Sequence, residues 1–313
     1  MLNHALKNAK TVAIGGHVRP DGDCVGSCIG LYQYIRTNYP EIEVHVYLED
    51  FADSFRMIEA TKESRQIADE EMVYDLFIAS DCADLERLGV SVKMFERAKA
   101  TLCIDHHISN TGYADENYIV PEASSASELA YRLMEKDKIT KEVAEALYLG
   151  IVHDTGVFQY SCTSPETMEA AAELMRKGIN ASDIIDKTFY EKTYAQNQIL
   201  GRALLESFLF MDGKCIVSYI TKKMMDFHGV TPKDLDGIVS QLRITKGVEV
   251  AILLYESGAQ EYKVSLRATG DVDVSKVAQY FGGGGHKKAA GVTMKGTVHD
   301  IINNLSEQIH AQL

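Results

Sequence analysis

The sequence contains no long hydrophobic run and no C-x-x-C pair of cysteines. No stretch approaches the roughly 20 apolar residues that a helix needs to span a bilayer, and the N-terminal segment MLNHALKNAK lacks the apolar core of a signal peptide. The six cysteines are scattered without a C-x-x-C motif, which favours reduced and mostly buried thiols. We therefore expect a soluble cytoplasmic protein that does not act at a membrane.

Basic residues are few relative to acidic ones. Lysine and arginine total 32 against 45 aspartates and glutamates, which gives a formal net charge of −13. A surface with this balance repels polyanions such as duplex nucleic acid. Any nucleic-acid substrate should therefore be short, or should meet a local basic patch.

The length and the apolar content favour two domains. The chain has 313 residues, of which 46% are hydrophobic, and this is enough for more than one core. The pattern changes after Gly213, although no linker rich in proline, glycine or serine marks a boundary. We place an N-terminal domain at 1–190, a helical linker at 191–206 and a C-terminal domain at 207–313.

Short apolar runs alternate with helical segments in the first part of the chain. Strands are predicted over 11–16, 43–48, 74–81 and 100–107. This alternation predicts an α/β fold in which a mostly parallel sheet is covered by helices. The later runs KCIVSYI, VEVAILLYE and YKVSLRA, followed by an amphipathic helix over 298–312, predict a smaller α/β domain with a mixed sheet.

Acidic residues and histidines follow three of the predicted strands. His17 follows the first strand, Asp81 ends the third, and a D-H-H segment ends the fourth. In an open α/β sheet, ligands bind outside the carboxyl ends of the strands, so these groups should converge on one edge. Carboxylates suit Mg²⁺ or Mn²⁺, and imidazole shifts the preference towards Mn²⁺ and other transition metals. The residues expected at this metal site are His17, Asp21, Asp23, Asp81, Asp105, His106, His107 and Asp154.

Each of these signals has an ordinary structural explanation when it is taken alone. An aspartate after a strand is usually a helix cap or a turn residue, and this applies to Asp81. The D-H-H segment alone fits a capped loop with one buried histidine. Ser124 and Ser125 are predicted to cap a helix and are left out of the site. The conjunction of acids and histidines in one α/β domain is what favours a site.

Five ordered motifs resemble those of the DHH family of phosphoesterases. They are HVRPDGDCVGS, SDCAD, DHH, HDTG and, near the C-terminus, GGGGHKKAAG (282–291). The resemblance extends over nearly the whole chain. In size and layout it is nearest to the two-domain members that are oligoribonucleases and phosphoadenosine-phosphate phosphatases.

The resemblance implies two divalent metal ions and a role for each motif residue. It implies that Asp81 bridges the ions, that Asp105 orients the histidines and that His107 faces the phosphate, although His107 also fits a neutral structural histidine. Mn²⁺ is the implied ion, and Mg²⁺ and Co²⁺ stay open. The implied ligands are His17, Asp21 and Asp81 for one ion, and Asp23, Asp81, His106 and Asp154 for the other.

The C-terminal motifs imply a domain that binds substrate. Arg267 matches a family position that holds a phosphate or carboxylate, a task that suits the donor fork of a guanidinium. A glycine run leaves backbone N–H groups open to an anion, although such a run alone is more often a flexible turn. Lys287 and Lys288 fit a solvated pair equally well. The implied substrate-binding residues are Arg267, Gly283, Gly284, Gly285 and His286.

The resemblance implies hydrolysis of short oligoribonucleotides to 5′-mononucleotides, and removal of the 3′-phosphate from phosphoadenosine phosphate. Attack by a hydroxide bound to both metal ions would make a serine or cysteine nucleophile unnecessary. The alternatives are a cyclic- or linear-dinucleotide phosphodiesterase, a pyrophosphatase or polyphosphatase, and a catalytically silent nucleotide-binding sensor. The expected partners are short single-stranded RNA or a small nucleotide, and a homodimer is compatible with the sequence.

Overall fold

The computed structural model describes residues 1–69 and 71–313. The chain divides into two compact units, Met1–Glu191 and Lys192–Leu313. The predicted linker segment contains a helix, Tyr194–Leu205, whose Ile199 and Ala203 are buried in a core of the second unit. No helix in the described part of the chain is both long and apolar enough to cross a membrane.

The first unit is built on a parallel sheet of five strands in the order β2-β1-β3-β4-β5. The strands are β1 (Thr11–Gly15), β2 (Glu43–Tyr47), β3 (Leu76–Ser80), β4 (Thr101–Asp105) and β5 (Glu116–Ile119). The four predicted strands are confirmed. The sequence did not indicate β5 because this short edge strand carries polar residues and is only half-buried.

Helices and short helical turns cover both faces of this sheet. The helices are α1 (Leu2–Leu6), α2 (Gly22–Asn38), α3 (Val92–Arg97), α4 (Ala126–Leu133), α5 (Lys141–Asp154), α6 (Pro165–Arg176) and α7 (Ala181–Ile185). One core joins α2, α4 and α5 to one face of the sheet, and a second joins α3 to the other face. The α/β fold predicted for this region is therefore confirmed.

Two glycines let α2 and α5 approach closely. A β-carbon at Gly26 would lie 2.9 Å from the Cα of Gly150, and one at Gly150 would lie 2.7 Å from Oδ1 of Asp23. Real β-carbons do not come so near, so any larger residue would push the helices apart. The close packing brings the first turn of α2 and the last turn of α5 to the same place.

The second unit is built on a mixed sheet of six strands in the order β10-β11-β9-β8-β7-β6, in which only β7 and β8 are parallel. The strands are β6 (Phe208–Phe210), β7 (Cys215–Ile220), β8 (Val250–Gly258), β9 (Glu261–Ala268), β10 (Gly284–His286) and β11 (Ala289–Lys295). Its helices are α8 (Tyr194–Leu205), α9 (Lys222–His228), α10 (Ile238–Arg243), α11 (Val274–Tyr280) and α12 (Val298–His310). The mixed sheet and the C-terminal amphipathic helix are confirmed.

The glycine-rich segment is not the open loop that the sequence suggested. Gly284–His286 form β10, which pairs antiparallel with β11. A β-carbon at Gly283 would lie 2.3 Å from the carbonyl oxygen of Gly291, and Gly285 has a φ of 143°. The glycines are therefore needed for close strand contact and for backbone geometry, as well as for any contact with an anion.

Candidate functional site

The predicted acids and histidines of the first unit come together at the carboxyl edge of its sheet. His17 follows β1, Asp81 follows β3 and His106 follows β4. Oδ2 of Asp81 lies 3.4 Å from Nε2 of His17, and Oδ1 of Asp81 lies 3.6 Å from Nε2 of His106. The two oxygens of one carboxylate therefore face two different imidazoles.

The backbone turns sharply at Asp81. Its φ of 54° lies in the left-handed region, which costs about 1 kcal/mol for a residue with a side chain and is less unfavourable for aspartate than for most. The N–H of Asp81 donates to the carbonyl of Ile104, so the contact between β3 and β4 continues to the turn. The side chain is thereby fixed at the sheet edge, and the residue is 2% exposed.

The first turn of α2 supplies two more carboxylates. Oδ1 of Asp21 accepts hydrogen bonds from the N–H groups of Asp23 and Cys24, so this residue is the N-cap of the helix. The same oxygen lies 3.7 Å from Nε2 of His17. The capping role expected of an isolated aspartate and the predicted site role are therefore both compatible with one side chain.

Asp23 is fully buried and is held by the N-terminus of α4. Its Oδ2 accepts from the N–H of Ala126 at 2.6 Å, and its Oδ1 accepts from the N–H of Ser127 at 2.9 Å. Oδ2 also lies 3.9 Å from Nε2 of His106. Burial, together with the nearby charges of Asp81 and Asp154, raises the pKa of this carboxyl well above its usual range.

Asp154 enters the site from the C-terminal end of α5. Its Oδ2 lies 3.0 Å from Nε2 of His106. Burial raises the pKa of Asp154, and the hydrogen bond with His106 acts in the opposite direction. Asp154 thus comes from the C-terminal end of a helix, whereas Asp21 and Asp23 come from the start of one.

The D-H-H segment holds its second histidine through its aspartate. Oδ1 of Asp105 lies 2.8 Å from Nδ1 of His107, and its Oδ2 accepts from Nδ2 of Asn110 at 2.7 Å. Burial alone would raise the pKa of Asp105, but the hydrogen bond with His107 lowers it. No sequence pattern indicated Asn110, because its role follows from the fold of the turn after β4.

The imidazoles balance the negative charge of the cluster. Burial alone would lower the pKa of His17, but hydrogen bonds with Asp21 and Asp81 raise it to about 12. Burial would also lower the pKa of His106, but the nearby carboxylates of Asp154, Asp23 and Asp81 raise it to about 10. The cluster therefore holds protons at neutral pH that a divalent cation would displace.

The donor atoms fit divalent cations. In the described part of the chain there are three groups of potential metal donors, and the donor atoms within each group lie within 4.8 Å of one another. Carboxylate oxygens and imidazole nitrogens dominate, which suits Mn²⁺ and related ions. The thiol of Cys24 belongs to one group and was expected only to be buried, as it is. The groups are His17, Cys24 and Asp81; Asp81, His106 and His107; and Asp23, His106 and Asp154.

The predicted substrate-binding residues all lie in the second unit. Arg267 is half-buried on β9, and its Nη1 donates to the carbonyl of Leu266 at 3.0 Å. Ala289 on β11 pairs with Arg267 on one side and with His286 on the other. Cross-strand partners share a face of the sheet, so Arg267 and the exposed His286 flank a small alanine side chain.

Comparison with known proteins gives the same assignment for both units. Residues 11–151 match the family described as "DHH family, N-terminal domain", and residues 212–312 match the "DHHA1 domain". An exopolyphosphatase-related protein from Bacteroides fragilis, of known structure, superimposes with a TM-score of 0.92 at 26% identity, covering 99% of this chain and 94% of that one.

Several curated relatives carry the name "Bifunctional oligoribonuclease and PAP phosphatase NrnA". The one from Mycoplasma pneumoniae is 30% identical over 310 residues, covering 95% of this chain and 91% of the relative. The one from Thermus thermophilus is 27% identical over 289 residues, covering 91% of this chain and 84% of the relative. The chain therefore belongs to the DHH family and carries a DHHA1 domain in its second unit.

Proposed function

We propose that this chain is a metal-dependent phosphoesterase that hydrolyses short oligoribonucleotides to 5′-mononucleotides and removes the 3′-phosphate of phosphoadenosine phosphate. The observation that carries the proposal is Asp81, whose two oxygens face His17 at 3.4 Å and His106 at 3.6 Å. Relatives named as oligoribonucleases and PAP phosphatases, matched over most of both chains, support the choice of substrates.

The proposed ligands form two sets that share Asp81. Two imidazoles among four carboxylates favour Mn²⁺ over Mg²⁺, and Co²⁺ is compatible with the same donors. Such cations would supply an activated water as nucleophile and would neutralise charge on the phosphoryl oxygens. The sets are His17, Asp21 and Asp81 for one ion, and Asp23, Asp81, His106 and Asp154 for the other.

His107 is proposed to act on the phosphate. Asp105 engages its Nδ1, so Nε2 is the ring nitrogen left to donate to a phosphoryl oxygen or to the leaving oxygen. The same contact raises the pKa of His107, which shifts the imidazole towards its protonated, donating form. Asp105 therefore acts as a positioning residue, and Asn110 fixes Asp105 in turn.

The second unit is proposed to hold the part of the substrate that is not cleaved. Arg267 and His286 present nitrogen donors on one face of its sheet, beside the glycines 283–285. A net charge of −13 agrees with short anionic substrates better than with duplex nucleic acid. The cytoplasmic location and the homodimer stay predictions.

A substrate panel tests the proposal. The purified chain is loaded with Mn²⁺ and assayed on a diribonucleotide, a pentaribonucleotide, phosphoadenosine phosphate, cyclic di-AMP and pyrophosphate, with a chelator-treated sample as control. We expect hydrolysis of the first three, with 5′-mononucleotides and AMP as products. Preference for cyclic di-AMP or for pyrophosphate would replace the proposed substrates, and binding without turnover would indicate a sensor.

A further inference from the structure

Among the described residues of the first unit, two fully buried carboxylates are not proposed metal ligands: Asp105, which holds His107, and Glu128. Glu128 is the third residue of α4 and is 0% exposed. A buried carboxylate is unfavourable unless hydrogen bonds and an opposite charge compensate for the lost water. The hydrogen bonds and the ion pair of Glu128 therefore show which parts of the fold it holds together.

Both oxygens of Glu128 are engaged. Oε2 accepts from the hydroxyl of Ser124 at 2.6 Å, from the N–H of the same serine at 3.3 Å and from the hydroxyl of Thr167 at 2.7 Å. Oε1 pairs with the guanidinium of Arg132, one turn further along α4. Thr167 belongs to the capping box that starts α6, so Glu128 ties the start of α4 to the start of α6.

The turn that Glu128 anchors is the same turn that holds Asp23. Ser125 caps α4 by accepting from the N–H of Glu128 at 3.0 Å, which confirms the cap predicted for Ser125, whereas the hydroxyl of Ser124 donates to Glu128 instead. The first two N–H groups of α4, those of Ala126 and Ser127, donate to the two oxygens of Asp23. The direction of these N–H groups, and so the orientation of the Asp23 carboxylate, depends on the position of this turn.

We infer that Glu128 is a positioning residue for Asp23. Glu128 fixes the first turn of α4 against α6. The N–H groups of that turn then hold Asp23 so that its Oδ2 lies 3.9 Å from Nε2 of His106. The inference rests on the proposed function, in which Asp23 is a metal ligand. Outer-shell partners of this kind typically contribute about 10-fold to 100-fold to metal affinity or activity.

The test compares Glu128→Gln with the matched control Glu173→Gln. Glutamine keeps the size of the side chain but places an N–H₂ group where a carboxylate oxygen accepts hydrogen bonds. Glu173 lies on α6, is half-exposed and pairs with Arg176. Binding of Mn²⁺ to the metal-free chain is followed by the electron paramagnetic resonance signal of free Mn²⁺, and turnover is measured on a diribonucleotide.

We expect Glu128→Gln to weaken the binding of one Mn²⁺ ion by about 10-fold or more and to lower kcat by a similar factor, with KM nearly unchanged. Glu173→Gln should leave all three quantities as they are. Thr167→Val removes one hydroxyl donor, so it should shift Mn²⁺ affinity in the same direction by less. If Glu128→Gln does not fold, the Mn²⁺ affinity of Thr167→Val tests the inference in its place.

Two folded variants with unchanged Mn²⁺ affinity and kcat would overturn the inference and leave Glu128 a purely structural residue. If the unsubstituted chain binds Mn²⁺ but hydrolyses none of the panel, the proposed function fails, and the comparison of Mn²⁺ affinities still decides the role of Glu128. If the unsubstituted chain binds no Mn²⁺, Asp23 is not a ligand and the inference is wrong.

Discussion

The two units carry their charged groups in opposite ways. In the first unit, carboxylates and imidazoles are buried together at the edge of a parallel sheet, with Asp23 and Asp81 at 0% and 2% exposure. In the second unit, His286, Lys287 and Lys288 are exposed at the edge of a mixed sheet. Buried acids need cations, whereas exposed cationic groups attract anions. The difference suggests that one unit binds the metal ions and the other binds the substrate.

Removal of the shared carboxylate should have the largest effect on the first unit. Asp81→Asn takes a ligand from both proposed ions, so we expect hydrolysis to fall by at least about two to three orders of magnitude and Mn²⁺ binding to weaken at both positions. Turnover and Mn²⁺ titration measure this. Asp53→Asn, at an exposed side chain paired with Arg56, is the control. Turnover near that of the unsubstituted chain would rule out the shared ligand.

The buried histidines should make the metal-free chain less stable as the pH rises. His17 and His106 have pKa values raised to about 12 and about 10, so their stabilising contribution is fully present below about 6.5 and is lost as the pH rises towards those values. Each such proton contributes a slope of up to about 1.4 kcal/mol per pH unit. Urea unfolding in chelator at pH 6.5, 8 and 9.5 measures the slope.

Two substitutions, one in each unit, test whether this pH dependence comes from the buried histidines of the first unit. His17→Gln should flatten the dependence of the free energy of unfolding on pH. Gln279→Asn, at an exposed residue of the second unit without a titratable group, should leave it unchanged. An unchanged slope in His17→Gln would show that this buried histidine does not hold the proton.

A substitution in the second unit should change substrate binding more than chemistry. Arg267→Gln removes a charged donor from the proposed anion site, so we expect KM for a pentaribonucleotide to rise about 10-fold with kcat within about two-fold. Lys263→Gln on the same strand is the matched control. An equal loss of kcat on every substrate, with KM unchanged, would contradict the division between the units.

The smallest expected effect concerns the support of the D-H-H segment. Asn110→Ala removes the donor to Oδ2 of Asp105 and leaves the contact between Asp105 and His107 in place. We expect kcat to fall by roughly five-fold to ten-fold, with little change in Mn²⁺ affinity. Equal losses in Mn²⁺ affinity and in kcat would place Asn110 in support of the metal ligands instead.

The sequence indicated which side chains of the first unit would meet at one sheet edge, because strand ends are a strong local signal. Apolar runs that stop at His17, Asp81 or Asp105 are visible without a structure, and parallel strands bring their carboxyl ends to one edge. Asn110 and Glu128 carried no such signal, since their roles depend on contacts with Asp105 and Thr167 that only the folded chain creates.

The structure of the glycine-rich segment could not be predicted from the sequence. A run of glycines indicates a flexible turn as readily as a site, and the sequence cannot show which glycines are needed for packing. In the structure, Gly284–His286 pair with β11 as a short strand. Pairing of this kind depends on a partner strand, so local sequence alone does not predict it.

The most direct test of the account is a crystal of this chain soaked in Mn²⁺ and measured at a wavelength where manganese scatters anomalously. The account predicts two peaks of anomalous density, one on each side of Asp81, with His17 and Asp21 around one peak and Asp23, His106 and Asp154 around the other. A well-ordered crystal in which these side chains turn away from one another, with no anomalous density among them, would contradict it.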